Sequence, residues 1–280
     1  MKNAWNYEIP RIEEIVNRSE LKNLIGDVTK KMLSAVGQSA AAANGLTDFL
    51  YNQSSSRDVP SLEKVLHEKI LSQGTDAKMM RDGMLERARV IYSQIQPHLK
   101  GESLADVGCG HGLVSWAAHR KFKDTLLLDV VDYRDASVKL PFVKFAENDS
   151  PPFGKKFDCS LLITVIHHAS NPMKLLEDVW KQTNQRLIII ESVFGVEAGP
   201  VLSPLPNLNQ SEQLCYAVYC DWFYNRVLNQ GVPVPFNFNT PSNWRQIFEK
   251  LPAKISYEEN LGVDLDIVPE HHFLFVLDKI

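Results

Sequence analysis

Long apolar runs are missing from this 280-residue sequence. No stretch approaches the roughly 18 consecutive apolar residues that a membrane-spanning helix requires. The opening residues, from Met1 to Pro10, also lack the apolar core of a secretory signal peptide. We therefore expect a cytoplasmic protein that has no membrane partner.

Cysteine is scarce and is not spaced for a disulfide framework or a zinc site. No two cysteines form a CxxC pair, and two of them fall in a glycine loop and in an apolar run, where a disulfide would be awkward. The four cysteines are Cys109, Cys159, Cys215 and Cys220. These positions predict a reducing environment.

A metal site is not expected from the histidines either. They form two adjacent pairs, His167 with His168 and His271 with His272. Neighbouring residues of a strand point to opposite faces, so neither pair can chelate an ion as a unit. We therefore expect no metal.

A surplus of positive charge is also missing. The 30 Lys and Arg residues are outnumbered by 34 Asp and Glu residues, which gives a formal net charge of -4 at pH 7. The basic residues are scattered among acidic ones, so the sequence does not favour nucleic acid as a partner. The remaining composition, 44% hydrophobic and 23% charged, is typical of a globular protein.

The first hundred residues carry helical periodicity and no strand pattern. Apolar residues recur at helical spacing over residues 11–36, with a break after which Ser19 is suited to cap a second helix. Pro60 begins another amphipathic helix, which stops near Gly74. These patterns predict a helical extension over residues 1–78.

Short apolar runs alternate with helical or turn-like segments after residue 101. Their nearly continuous hydrophobicity is typical of parallel strands that are buried on both faces. This alternation predicts an open α/β sheet. The predicted strands are residues 103–107, 125–131, 142–145, 158–165, 186–192, 254–258 and 273–277, and the two main helices between them are residues 113–122 and 242–251.

The most specific segment is LADVGCGHGL, in which a strand runs into Gly108, Gly110 and Gly112 and a helix follows at once. Glycines let the backbone approach a ligand, and the helix N-terminus supplies free N–H groups. A dinucleotide-binding GxGxxG loop would need a glycine where this chain has Leu113. Asp106 fits poorly beside a pyrophosphate but suits a ligand with an ammonium group. The spacing favours S-adenosylmethionine over NAD; a tight turn without a ligand is the alternative.

The segment DVGCGHG resembles motif I of the class I S-adenosylmethionine-dependent methyltransferases, and the similarity continues in order over residues 80–280. A small-molecule branch of the ubiquinone-biosynthesis type shares the later motifs. The resemblance implies a Rossmann-like sheet of seven mostly parallel strands, the last antiparallel. It also implies a cofactor-binding domain over residues 79–280, preceded by the helical extension over residues 1–78 that the periodicity predicts. Within that domain we expect residues 195–240 to form a helical and aromatic lid insertion.

The resemblance assigns cofactor contacts to the glycine loop and to the end of the second strand. Asp129, 17 residues past the loop, matches the acidic residue that accepts hydrogen bonds from the ribose hydroxyls. Asp132, three residues further on, is its competitor. The assigned residues in this part of the chain are Asp106, Gly108, Cys109, Gly110, Gly112, Asp129 and Val130.

Two later segments complete the implied cofactor site. FAENDSPPF resembles the stretch in which an Asp contacts the adenine amino group; Glu147 occupies that place, Asn148 follows, and Asp149 could substitute. A polar loop without a ligand is the alternative. SLLITVIHHASNP resembles motif IV, which implies that Thr164 lines the methionine end of the cofactor.

Candidate catalytic residues stand at the carboxyl ends of predicted strands. Methyl transfer requires alignment above all, and a general base only when the acceptor is protonated. The candidates are His167, His168 and Glu191. One histidine is expected to face the site while its neighbour packs elsewhere, and a neutral His168 could take a proton. A backbone-bonded or helix-capping histidine and a structural Glu191 are the alternatives.

The insertion and the N-terminal helices are the additions in which we expect substrate specificity. We expect the two to form a lid over an aromatic-lined pocket. Tyr224 and Arg226 are the polar candidates for contact with substrate, together with Trp222. The alternative is that the aromatic residues fill the core of that subdomain.

These features predict an enzyme that transfers a methyl group from S-adenosylmethionine to a small molecule and releases S-adenosylhomocysteine. Two alternatives are a cofactor-binding regulatory or scaffold protein and an enzyme that uses the same cofactor for other chemistry. A protein, lipid or RNA acceptor stays open, although the acidic balance argues against RNA. The oligomeric state also stays open, with a homodimer among the options.

Overall fold

The computed structural model describes residues 1–197 and 204–280, and within them the chain divides into two compact units. The first, which we call the helical unit, comprises Met1–Met84, Phe194–Phe238 and Gly262–His271. The second, which we call the sheet unit, comprises Leu85–Val193, Asn239–Leu261 and His272–Ile280. The helical unit thus contains both the N-terminal extension and most of the insertion that the sequence singled out.

The N-terminal region is helical, as its periodicity predicts. Polar side chains define two of the helix starts: Ser39 accepts the N–H of Ala42, and Asp58 accepts the N–H of Ser61 at 2.9 Å. The helices are α1 (Ile12–Asn17), α2 (Lys22–Ala35), α3 (Ala40–Gln53), α4 (Val59–Ser72) and α5 (Ala77–Ile95).

The predicted cap of the second helix is wrong. Helix α2 has Leu21 at its N-cap, without a side-chain hydrogen bond. The hydroxyl of Ser19 instead donates to the Glu20 carboxylate at 3.2 Å. The two buried residues Leu21 and Ile25 fix this end of the helix through packing, because neither is exposed to solvent.

The described part of the predicted insertion contains a 3₁₀ turn, Leu205–Asn207, which is followed by a helix. Helix α8 spans Gln210–Trp222, and a π-helical segment, Phe223–Leu228, extends it. A capping box starts α8: Asn209 accepts the N–H of Glu212 at 3.1 Å, and Glu212 accepts the N–H of Asn209 at 2.8 Å. Residues 198–203 of the predicted insertion lie outside the described residues.

The described residues form seven strands: β1 (Ser103–Val107), β2 (Asp124–Asp129), β3 (Phe142–Lys144), β4 (Phe157–Ile163), β5 (Thr183–Ser192), β6 (Ala253–Leu265) and β7 (Val268–Lys279). These strands make one sheet in the order β3-β2-β1-β4-β5-β7-β6. Strands β1 to β5 pair in parallel with their neighbours, whereas β7 is antiparallel to β5. The predicted fold, with its reversed last strand, is therefore confirmed.

Apolar packing on both faces holds the sheet unit together. The central strands β1, β4 and β5 are buried along nearly their whole length. Helices α6 (Leu113–Ala118), α7 (Pro172–Gln182) and α9 (Pro241–Phe248) follow or flank them. One core cluster joins Ile91 and Ile95 of α5 to Leu161, Ile188 and Val276 of the sheet. Burial of such side chains contributes about 1.5–3 kcal/mol each.

The strand order also determines where a ligand can bind. The chain adds β2 and β3 on one side of β1 and then crosses to place β4 on the other side. The loops that leave β1 and β4 therefore diverge and open a crevice at the carboxyl edge of the sheet. The glycine loop follows β1, and the two histidines follow β4, so both predicted motifs lie at this edge.

Among the described helices, none combines the length and the hydropathy that crossing a bilayer would require.

Candidate cofactor and active site

The glycine loop after β1 is held in the left-handed backbone region. Gly108, Gly110 and Gly112 have φ values of 70°, 50° and 68°. A Cβ on Gly108 would stand 2.5 Å from a methyl carbon of Val165, whereas a Cβ on Gly110 would meet no atom within 4 Å. Gly108 therefore permits close packing against the turn after β4, and Gly110 leaves open space above the loop.

Asp129 ends β2 and fixes the middle of this loop. Its Oδ2 accepts the N–H of Gly110 at 2.8 Å, and its Oδ1 accepts the N–H of Val130 at 2.7 Å. The side chain is buried, and burial raises the pKa of Asp129 while the backbone donors oppose the rise. Each carboxylate oxygen can accept more than one hydrogen bond, so Asp129 can hold the loop and still bind a hydroxyl.

Asp106 lies beneath the loop on β1 and is 2% exposed. Ser115 of α6 donates its hydroxyl to Oδ2 of Asp106 at 2.7 Å. Burial raises the pKa of Asp106 to about 7; the Ser115 hydrogen bond opposes this rise, and the nearby Asp129 adds to it. Two buried acids thus lie together at the glycine loop and favour a cationic ligand.

Ser115 was missed by the sequence reasoning. It is a fully buried polar residue on the inner face of α6, two residues after Leu113. A serine on the apolar face of a short helix is the signal that could have identified it, because a buried hydroxyl needs a partner.

Asp132, the competitor of Asp129, has a different environment. It is exposed and forms a bidentate pair with Arg134, with Nε–Oδ1 at 2.8 Å and Nη2–Oδ2 at 2.7 Å. The hydrogen bond from Arg134 lowers the pKa of Asp132 to about 2. Asp132 is therefore held in an ion pair with Arg134, whereas Asp129 contacts the glycine loop.

Two other residues assigned to the cofactor lie in the same region. Cys109 is partly exposed, and burial raises the pKa of its thiol, so it is a neutral group in the loop. Val130 follows Asp129 directly and is partly exposed at the end of β2. Their predicted contacts with the cofactor remain predictions.

The adenine candidates lie in the turn after β3. Glu147, Asn148 and Asp149 are exposed. The side chain of Asn148 accepts the hydroxyl of Ser170 at 2.9 Å, which ties this turn to the segment before α7. The contact of Glu147 with adenine therefore remains a prediction.

Thr164 follows β4 in an unusual conformation. Its φ is 54°, in the left-handed region that β-branched residues rarely adopt. The N–H of Thr164 donates to the carbonyl oxygen of Ile190 at 2.6 Å. Strained backbone of this kind clusters at functional sites, and Thr164 occupies the carboxyl edge of the sheet.

The three catalytic candidates form one cluster. Oε2 of Glu191 lies 2.6 Å from Nδ1 of His167, and both side chains are buried. The ring of His168, which is partly exposed, packs on the ring of His167 with centroids 4.1 Å apart. His167 therefore contacts Glu191 directly, and His168 is the candidate nearest to solvent.

The premise that His167 and His168 lie on a strand is wrong. The two histidines lie on a 3₁₀ turn, Ile166–His168, and not on a strand. Their rings consequently pack side by side and do not point to opposite faces. The second pair does lie on a strand, because His271 and His272 are buried residues of β7.

The substrate candidates lie in the helical unit and have partners there. Trp222 is 1% exposed, and its indole N–H donates to Oε1 of Glu63 at 2.8 Å. Arg226 pairs with the other oxygen of Glu63 at 3.1 Å. The hydroxyl of Tyr224 lies 3.7 Å from the sulfur of Met84. Their roles in substrate binding remain predictions.

Comparison with known proteins supports the assignment of the fold. No family model matches the chain. The tRNA U34 carboxymethyltransferase of Campylobacter jejuni (strain RM1221) is 24% identical over 133 residues, which is 44% of this chain and 45% of that protein. The chain thus matches less than half the length of this curated relative.

Two solved structures of low sequence identity are similar. One chain comes from the complex between the Haloferax volcanii Trm112 methyltransferase activator and a methyltransferase; the match covers 70% of our chain and 92% of that chain, with a TM-score of 0.50 and 13% identity. The second is the magnesium protoporphyrin IX methyltransferase of Synechocystis PCC 6803 with bound SAM, covering 98% and 100% with a TM-score of 0.46 and 11% identity. The strand order, the antiparallel β7 and the first match identify the class I methyltransferase fold.

Proposed function

We propose that this chain binds S-adenosylmethionine at the glycine loop and transfers its methyl group to a small-molecule acceptor. The observation that carries the proposal is the hydrogen bond from Gly110 to Asp129. It joins a loop with open space above it to a buried carboxylate that has accepting capacity left. A nucleoside with two neighbouring hydroxyls fits that arrangement.

The charge of the site supports this cofactor over a dinucleotide. Asp106 has Ser115 as its hydrogen-bond partner, and no basic side chain of residues 1–197 or 204–280 forms an ion pair with it. A buried carboxylate without a cation disfavours a pyrophosphate and favours a ligand that carries positive charge. S-adenosylmethionine carries an ammonium and a sulfonium group.

Each of these residues would contact a different part of the cofactor. Asp129 would accept the ribose hydroxyls, Asp106 would attract the ammonium group, and Thr164 would border the methionine end. Glu147 and Asn148 would contact adenine from the turn after β3. When bound, the cofactor supplies an electrophilic methyl group on sulfur, and the protein's task is to align an acceptor with it and to exclude water.

The proposed base is His168. It is partly exposed, whereas His167 is buried against Glu191. A neutral imidazole can accept the proton of an acceptor whose group is protonated near neutrality. For substrate contact we propose Tyr224 and Arg226 of the helical unit, with Trp222 beside them.

The proposal includes a reducing, cytoplasmic location. All four cysteines are free, and three of them are buried. Free thiols are the expected state in a reducing compartment.

Calorimetric titration with S-adenosylmethionine and S-adenosylhomocysteine, with NAD as the control, tests the proposal. We expect micromolar binding of both adenosyl ligands. Asp129→Ala should weaken binding about 10- to 100-fold, because charge-assisted hydrogen bonds contribute about 1.5–3 kcal/mol. Asp132→Ala is the matched control: it removes an exposed carboxylate three residues away and should change affinity less than threefold. Binding of NAD alone, or equal effects of the two substitutions, would contradict the proposal.

A tRNA acceptor is the second candidate, because the curated relative is named as a tRNA-modifying enzyme. The net charge of -4 makes it the less favoured one. Incubation with radiolabelled S-adenosylmethionine and either bulk tRNA or a small-molecule extract distinguishes the two. Label in the tRNA fraction, reduced by added salt, would replace the small-molecule proposal.

A further inference from the structure

Glu191 is the next-to-last residue of the apolar strand β5 and is completely buried. Its Oε1 accepts two backbone N–H groups, from Val165 at 2.9 Å and from Ile166 at 2.6 Å. Burial raises the pKa of Glu191 to about 7, and these two donors oppose the rise. One carboxylate oxygen is thus occupied by the turn that follows β4.

Three backbone hydrogen bonds to β5 hold that turn. Thr164 enters it at a φ of 54°, and its N–H is bound to the carbonyl oxygen of Ile190. The next two N–H groups point to Glu191. Strain persists only where the surroundings fix it. Two acceptors of β5, the carbonyl oxygen of Ile190 and Oε1 of Glu191, together bind three consecutive N–H groups of the turn.

The anchored turn reaches the glycine loop. Two methyl carbons of Val165 stand 2.5 and 2.6 Å from the place where Gly108 would carry a Cβ. Val165 is therefore in contact with the loop that we propose for the cofactor. A shift of the turn would displace Val165 and, with it, the support of Gly108.

The second oxygen of Glu191 acts on His167. When Glu191 is ionised, its carboxylate can only accept, so the 2.6 Å contact with Nδ1 then requires the proton on that nitrogen. Nε2 is then the ring nitrogen that can accept a proton. The ring of His168 packs on this imidazole, so the orientation of His167 also determines where His168 lies.

We propose that Glu191 is the positioning residue of the site: it holds the Val165 turn against the glycine loop and fixes the Nδ1–H tautomer of His167. The cofactor-binding half of this role rests on the proposed function, and the tautomer half does not. Glu191 is thereby assigned a role through its neighbours and no direct contact with substrate.

The tautomer is tested by long-range ¹H–¹⁵N correlation spectra of protein labelled on histidine, at pH 8.5, where Glu191 is ionised. We expect His167 to carry its proton on Nδ1. In Glu191→Gln the amide oxygen keeps the two backbone donors, and its NH₂ group must donate to Nδ1, so the proton should move to Nε2. The His167→Gln spectrum identifies the signal.

An internal control is present in the same spectra. Nδ1 of His119 lies 2.5 Å from the carbonyl oxygen of Trp116, which accepts only, so His119 should remain the Nδ1–H tautomer in every variant. A bare Nδ1 on His167 in the wild type, or an unchanged tautomer in Glu191→Gln, would overturn the tautomer assignment.

Calorimetry with S-adenosylhomocysteine tests whether Glu191 supports cofactor binding through the Val165 turn. Glu191→Ala leaves both N–H groups of the turn without their acceptor and should weaken binding at least tenfold. Glu191→Gln preserves the acceptor and should weaken it less than threefold, which also decides the matter if the alanine variant does not fold. Glu177→Ala, on the exposed face of α7, is the control and should have no effect.

Failure of the positioning role of Glu191 can be distinguished from failure of the proposed function. Equal affinity in the wild type and Glu191→Ala, or a tenfold loss in Glu191→Gln, would overturn the positioning role. If the wild type bound no adenosyl ligand, the proposed function and the cofactor-binding half would fail together. The spectra would still decide whether Glu191 fixes the tautomer of His167.

Discussion

Arg186 and Asp278 face each other directly across β5 and β7 and form a bidentate ion pair. The Nε–Oδ1 and Nη2–Oδ2 distances are both 2.8 Å. The guanidinium also donates to the carbonyl oxygen of His98 at 2.9 Å. The pair is mostly buried, with side-chain exposures of 17% and 22%, so it joins the reversed strand to the parallel part of the sheet more firmly than a surface pair would.

Asp278→Asn should lower the free energy of unfolding at pH 7 by about 1.5–3 kcal/mol, because a charge-assisted pair is lost. The hydrogen bond from Arg186 lowers the pKa of Asp278. Its contribution is therefore present above the unfolded pKa of about 3.9 and is lost as the pH falls through the folded value. Urea unfolding at pH 7 and at acid pH should show the difference shrinking in acid.

The control for this prediction is Glu258→Gln. Glu258 pairs with Arg245 at 2.8 Å, but the two side chains are 35% and 40% exposed. Exposed pairs contribute about 0–1 kcal/mol. Equal losses in Asp278→Asn and Glu258→Gln would show that burial of the Arg186 pair adds nothing.

Asp106→Asn should stabilise the ligand-free protein in alkali. Because the folded pKa of Asp106 is raised to about 7, its contribution to stability is fully present below the unfolded pKa and is lost as the pH rises through 7. The free energy of unfolding of the variant should therefore exceed that of the wild type at pH 8.5, by on the order of 1–3 kcal/mol, and match it only below the unfolded pKa of about 3.9. Its affinity for S-adenosylmethionine should fall, since the ammonium partner is gone.

Denaturant unfolding across this pH range checks the prediction for Asp106. Asp132→Asn should behave in the opposite way, because the pKa of Asp132 is lowered to about 2 by Arg134. A variant of Asp106 that is less stable than the wild type at every pH would mean that the carboxylate is needed for folding.

Alanine at Gly108 and at Gly110 should have different consequences. Both positions have a left-handed φ, which costs an alanine about 1–2 kcal/mol. At Gly108 the methyl group also collides with Val165, adding about 1–3 kcal/mol. Gly110→Ala should fold nearly normally and lose cofactor affinity, because its methyl group occupies the open space. Unfolding curves and calorimetry separate the two effects, and equal stabilities would contradict the predicted clash.

Thr164→Gly should leave the free energy of unfolding unchanged or raise it by about 1 kcal/mol. Glycine adopts a φ of 54° without the strain that threonine carries there. The matched control is Thr125→Gly in β2, where a buried extended residue is replaced and a loss of about 1 kcal/mol or more is expected. Thermal unfolding measures both; equal losses would show that Thr164 is not strained.

The buried strands could be predicted because both of their faces are apolar. The run over residues 103–107 matches β1, Ser103–Val107, at both ends. Strand β6 was predicted only over residues 254–258, although it continues to Leu265. Most of its residues are exposed or half-buried, so it presents no apolar run.

The site was predictable only where one segment carries the chemistry. The glycine loop follows from spacing along the chain, and Asp129 follows from the family resemblance. The contact between His167 and Glu191 joins residues 24 positions apart, and it exists because β4 and β5 are neighbours in the sheet. The left-handed Thr164 likewise depends on acceptors from β5. Such relationships require the strand order, which the sequence pattern does not supply by itself.

Strand β7 lies inside the sheet, between β5 and β6, although it follows both of them in the sequence. During translation, the edge of β5 that pairs with β7 therefore stays unpaired until β7 has been synthesised. That edge contains Leu187 and Ile188–Ile190. An apolar strand with an open edge is a target for chaperones and for aggregation. The nascent chain should thus depend on chaperone protection until residues 268–279 have left the ribosome.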